Sequence, residues 1–87
     1  MNMVSLSGQV IDNGTGETLA GVLVKIDESG KSIYTDFEGR FEISGLFPGS
    51  YSISTSLISY ESGEFNLNLN GEEQEPVKIK LNQVKIN

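Results

Sequence analysis

Gly16-Glu17-Thr18-Leu19-Ala20-Gly21-Val22-Leu23-Val24-Lys25-Ile26, then Thr35-Asp36-Phe37-Glu38-Gly39-Arg40-Phe41, then Pro48-Gly49-Ser50-Tyr51-Ser52-Ile53 decide the fold of this chain. Each couples a turn-forming glycine to a segment in which apolar and polar residues alternate. Alternation with period two puts one set of side chains on each face of a β-strand. Val22, Val24 and Ile26 share one face and Leu23 and Lys25 the other. Tyr51 and Ile53 alternate with serines, and Phe41 and Ile43 flank Glu42.

The same period runs outward in both directions. Val4, Leu6, Gly8 and Val10 alternate with Ser5, Ser7 and Gln9. Phe65, Leu67 and Leu69 alternate with Asn66 and Asn68, and Val77, Ile79 and Leu81 with Lys78 and Lys80. No run carries apolar residues at helical spacing. Seven strands are expected, at about 4–12, 21–27, 31–36, 40–45, 50–58, 63–70 and 76–82. The expected core is Leu6, Val10, Val22, Val24, Ile26, Phe41, Ile43, Tyr51, Ile53, Leu67, Ile79 and Leu81.

The punctuation is specific. Asn13-Gly14-Thr15-Gly16 offers positive φ at two glycines, and Glu28-Ser29-Gly30-Lys31 closes a hairpin. Asp36-Phe37-Glu38-Gly39 fits a type I turn with glycine in the left-handed region. Pro48-Gly49 fits a type II turn. Asn70-Gly71 is expected to open a last hairpin, with Glu72, Glu73 and Glu75 in its solvated loop. Gln83 to Asn87 has no evident partner and is expected to fray.

Composition bounds the chemistry. The 87 residues suit one domain, 1–87, with its core at about 4–82. A chain this short buries only about 60–65% of its unfolded surface. It has no cysteine, so neither a disulfide nor a thiolate site can form. It has no histidine, which removes the commonest metal ligand and the usual general base. The net charge of −6, from 12 acids and 6 bases, repels phosphate backbones and anionic lipid. Nucleic acid is therefore not an expected partner, and no apolar run approaches a transmembrane helix. Residues 1–20 lack the basic start and apolar middle of a signal peptide.

The ordered turns resemble those of the carboxypeptidase regulatory-like domains. That family opens with G-x-V-x-D, here Gly8-Gln9-Val10-Ile11-Asp12. G-E-x-L-x-G-V-x-V follows at Gly16–Val24, T-D-x-x-G-x-F at Thr35–Phe41 and P-G-x-Y at Pro48–Tyr51. Ser56-Leu57-Ile58-Ser59-Tyr60-Glu61 is similar to the family's closing segment, with Ser59 in place of glycine. Ala20 stands where the family often has proline. The resemblance implies an all-β, seven-stranded, antiparallel Greek-key sandwich of transthyretin-like type. It implies no peptidase activity, since in metallocarboxypeptidases a separate domain supplies the zinc ligands. It also implies a setting in the cell envelope of Bacteroidetes-like bacteria. There such domains precede TonB-dependent outer-membrane transporters or sit in surface proteins. Leu81-Asn82-Gln83-Val84-Lys85-Ile86-Asn87 carries no assignable TonB box, because Lys85 interrupts the apolar run and no acid is present.

Three candidate sites have plainer readings beside them. Asp36, Glu38 and Glu42 could gather oxygens for calcium, or Asp36 could cap its own turn. Lys25, Lys78 and Lys80 could enter an isopeptide cross-link, but that needs a desolvated lysine and all three fall on polar faces. Tyr34, Tyr51, Tyr60, Phe37 and Phe47 could form an aromatic platform. Alternation places Tyr51 in the core, and Phe37 is expected to fold back over one end of the sandwich. No catalytic, cofactor-binding or metal-ligating residue is assigned, and no cofactor is expected. The expected function is a non-catalytic accessory or interaction module of a larger envelope protein. Its partners would be neighbouring domains or other envelope proteins, met through loops or a sheet edge. The alternative is a carbohydrate- or peptide-binding module, which requires Phe37, Phe47 and Tyr60 to cluster. An enzyme would require a cleft holding at least two converging acids.

Overall fold

The described residues form seven strands and no helix: β1 (Val4–Asp12), β2 (Leu23–Ile26), β3 (Ser32–Tyr34), β4 (Arg40–Leu46), β5 (Gly49–Ser56), β6 (Gly63–Leu69) and β7 (Val77–Leu81). They come from a computed structural model that describes residues 3–70 and 75–85. One sheet has the order β4-β1-β7 and the other β3-β2-β5-β6. The two pack face to face as a β-sandwich, as period-two alternation in every long strand requires.

Four of the pairings are antiparallel, while β1 and β7 run parallel, with Val10 opposite Ile79 and Asp12 opposite Leu81. The parallel pair departs from an all-antiparallel expectation for a physical reason. β6 pairs with β5 in one sheet, so the chain must cross to the other sheet before β7 forms. For the same reason β6 and β7 do not form the hairpin expected after Asn70. Gly71, Glu72 and Glu73 lie outside the described residues, and Glu75 is exposed.

The core is Leu6, Val10, Val22, Val24, Ile26, Phe41, Ile43, Leu46, Ile53, Leu69, Ile79 and Leu81. Two expected members, Tyr51 and Leu67, are only half-buried. They face each other across β5 and β6, at the uncovered margin of the sheet. Tyr51 also carries a hydroxyl that must find an acceptor, and it donates to the Phe47 carbonyl. Leu46 enters the core through a bulge. Val4 opposes Leu46 and Leu6 opposes Ile43, so β4 carries one extra residue between those pairs. Gly45 sits there at φ 75°, the left-handed glycine of a G1-type bulge. The bulge shifts the alternation by one, which buries Leu46 and leaves Phe47 exposed.

Two turns fix how the chain changes sheets. Thr35 is buried; its hydroxyl donates to the Leu19 carbonyl at 2.6 Å and accepts the Val22 N–H at 2.9 Å. That holds the step from β1 to β2. Gly39 has φ 73° and its N–H donates to the Asp36 carbonyl at 2.9 Å, as the Asp-x-x-Gly pattern predicts. Two other turn expectations are corrected. Gly16 has positive φ but Gly14 does not. Gly49 begins β5 at φ 157°, far from the roughly +80° of a type II turn.

Candidate functional site

One end of the sandwich gathers the loops after β1, β3 and β5 and the segment after β7. Asp12 is its hub. The period-two register of β1 turns Asp12 toward the core side, as it does Leu6, Gly8 and Val10, and the residue is 3% exposed. A carboxylate so placed needs partners. Oδ1 accepts the N–H groups of Gly14 at 2.7 Å and Thr15 at 3.0 Å. Oδ2 accepts the Tyr60 hydroxyl at 2.6 Å and the Gln83 side-chain amide at 2.7 Å.

These four bonds set the electrostatics. The Tyr60 hydroxyl, then the Gln83 amide and the Thr15 N–H, hold the Asp12 carboxyl well below the usual carboxylate range, against the opposing pull of burial. The Tyr60 phenol is pushed up, first by its bond to Asp12 and then by burial. A carboxylate presents about four lone-pair sites, and all four are used. Asp12 is therefore a weak base with no free oxygen lone pair to offer a ligand. Its chemistry is that of a staple. It joins the end of β1 to the turn after β5 and to the segment after β7.

That segment does not fray where it is described. Tyr60 and Gln83 form an antiparallel bridge, Val84 N–H donates to Ser59 O at 2.9 Å and Glu61 N–H to Asn82 O at 2.9 Å. Ile86 and Asn87 lie outside the described residues. Ser59 holds φ 72°, a left-handed conformation that explains why a glycine suits this position.

The other candidates resolve as follows. Asp36 caps its own turn, with Oδ1 accepting the N–H groups of Glu38 and Arg40, both at 2.9 Å. Glu38 pairs with Arg40 at 3.1 Å and Glu42 lies exposed on β4. No group of three potential ligands converges among the described residues. Lys25, Lys78 and Lys80 are exposed, as their faces predict. Phe37 is 96% exposed and does not fold back. The turn seats Gly39 against the Val10 carbonyl and aims residue 37 outward. Phe37 and Phe47 sit at opposite ends of β4, and Tyr60 is packed against the core, so the three do not cluster. Ile58, at 88% exposed, is a second nearly bare apolar side chain at the Asp12 end, where Tyr34 and Val84 are exposed as well.

Asp12 and Gln83 are the residues that sequence reasoning missed. The signal for Asp12 was present: continuing the alternation of Leu6, Gly8 and Val10 puts an acid on the core face. Gln83 had none, since no local pattern links positions 12, 60 and 83.

A family model described as CarboxypepD_reg-like domain matches residues 6–87. No curated protein matches the chain significantly.

Proposed function

Because the chain belongs to the CarboxypepD_reg-like domain family, we propose that it is a non-catalytic accessory module of a larger bacterial cell-envelope protein. Such a parent would be a TonB-dependent outer-membrane transporter, with this domain as its N-terminal extension, or a surface protein. Residues 1–87 act as one folding unit that meets neighbouring domains or other envelope proteins, and neither nucleic acid nor a bilayer is its partner. The observation that carries the reading is the pair Phe37 and Ile58, almost wholly exposed on loops at one end of a rigid sandwich. One exposed apolar residue is ordinary, but Phe37 and Ile58 share this end with exposed Tyr34 and Val84, and several apolar side chains at one end offer a surface for a neighbour to cover. The chemistry at that end agrees, since its one buried carboxylate is consumed in structural bonds.

The test uses the parent protein. Phe37→Ser with Ile58→Ser should leave the melting temperature of this domain nearly unchanged and weaken its contact with the adjoining domain, read by cross-linking or by affinity of the separated parts. Unchanged contact would reject the end loops as the docking surface. Turnover of a peptide, ester or glycoside substrate by the isolated chain, lost on mutating one or two acids, would reject the non-catalytic reading. A sugar platform is less well supported, because its three aromatics lie apart.

A further inference from the structure

The sandwich has four edge strands, β3, β4, β6 and β7, and three of them carry features that discourage pairing with another chain. β3 is only three residues long. β4 is kinked by its bulge at Gly45 and bears Arg40. β7 follows Pro76 and shows Lys78 and Lys80 to solvent. Short length, bulges, lysines and proline are the usual protections of a free edge. β6 has only the single charge of Glu64. It is seven residues long, Gly63–Leu69, paired on one side to β5 over its whole length. It has no proline, no lysine and no bulge. Its outward residues are Glu64, Asn66 and Asn68, and Phe65 and Leu67 lie half-buried on its inner face. Beside it, between β6 and β7, the sandwich opens into a groove of about 380 Å³ bordered by Phe65, Leu67, Val77 and Ile79.

We infer that β6 is a self-association edge: two copies of this chain pair β6 to β6 antiparallel about a two-fold axis through Asn66, joining two four-stranded sheets into one. The occupant is a second copy because the strand is complementary to itself in that register. Antiparallel pairing centred on Asn66 matches all of Gly63–Leu69 with its own reverse. Glu64 then faces Asn68 of the second copy, Asn66 faces Asn66, and Phe65 faces Leu67. No like charges oppose each other, and two aromatic–aliphatic pairs extend the inner face over the open seam. This goes beyond the docking proposed above, which uses the loops carrying Phe37 and Ile58 and not a sheet edge. One strand pair is a small interface and each copy carries a charge of −6, so the dimer is weak and is strengthened by salt.

Sedimentation equilibrium of the full chain, up to about 1 mM and at low and high salt, should show a monomer–dimer equilibrium. Asn68→Lys places a lysine opposite Glu64 twice per dimer and should tighten it by roughly threefold to tenfold. Asn68→Glu and Asn66→Lys place like charges opposite each other and should loosen it by a similar factor. Both positions are exposed, so thermal melts of all three variants should stay close to the parent chain's. A chain monomeric throughout the range overturns the inference. So does a dimer that ignores all three substitutions, and so does one abolished by Phe37→Ser, which would place the contact on the end loops.

Discussion

Ser59 is the residue at which backbone and side chain disagree. At φ 72° it occupies the left-handed region, which costs a residue with a Cβ about 1–2 kcal/mol. Ser59→Gly removes that strain and gives back part of it as unfolded-state entropy. The net expectation is a gain of about 0.5–1 kcal/mol, read from urea denaturation midpoints. Thr55 makes a second such case. It is 1% exposed on the inner face of β5, and its hydroxyl has no hydrogen-bond partner among the described residues. Thr55→Val keeps the shape and removes the unpaired group, so stability should rise by about 1 kcal/mol. A loss on Thr55→Val would mean that a buried water serves the hydroxyl. The two residues differ in legibility. Ser59 stands out from sequence as a departure from a glycine position. Thr55 reads only as one more apolar-face residue of β5, because a missing partner is a property of the packed core.

Gly8 governs an element. The row Phe41–Gly8–Val77 crosses three strands on the inner face of one sheet. A Cβ on Gly8 would lie 2.7 Å from Val77 Cγ2 and 2.9 Å from Phe41 Cζ, and closer still to the Val77 carbonyl. The Phe41 ring therefore occupies the space that a side chain on β1 would take. Gly8→Ala should cost about 2–3 kcal/mol by overpacking. Gly14→Ala, on an exposed loop with ordinary φ, should cost far less. Comparable losses at both would place Gly8 outside the tight row. β1 was legible at its C-terminal bound, since the alternation of Leu6, Gly8 and Val10 runs on to Asp12 and meets the Asn13-Gly14 turn. The bulge in β4 was not. Glycine after Ser44 is locally compatible with a straight strand or a bulge. Only the fit of Leu46 against Val4 decides between them. The parallel pairing of β7 was hidden for a similar reason. Alternation states which face is apolar, not which neighbour supplies the hydrogen bonds.

For the molecule as a whole, stability is tied to the protonation of one end. Asp12 links β1, in one sheet, to Tyr60, in the loop leaving the other, and to Gln83 beyond β7. Its folded-state carboxyl titrates well below its ordinary value of 3.8. The folded state therefore gains from the ionised form. That gain is complete above about pH 4 and is lost as the pH falls from there toward the folded-state value. Glu28, lowered mainly by its bond to the Ser52 N–H at 2.8 Å, adds to the same acid limb. Tyr60 has the opposite sign. Its phenol is raised above 10.0, so its contribution is present below pH 10 and is lost as the pH rises through the folded-state value. Asp12→Asn should be less stable than the parent chain at pH 7, and the two stability curves should converge below about pH 4. Tyr60→Phe should likewise start lower and lack part of the alkaline fall. Denaturant midpoints across pH test both. Amide exchange locates the effect: in Asp12→Asn, the Val84 amide should open faster while Ile53, in mid-sheet, stays protected. An Asp12→Asn curve that runs parallel to the parent's through the acid limb would mean that other carboxylates control acid unfolding. The staple would then be a local cap and not a link between the sheets.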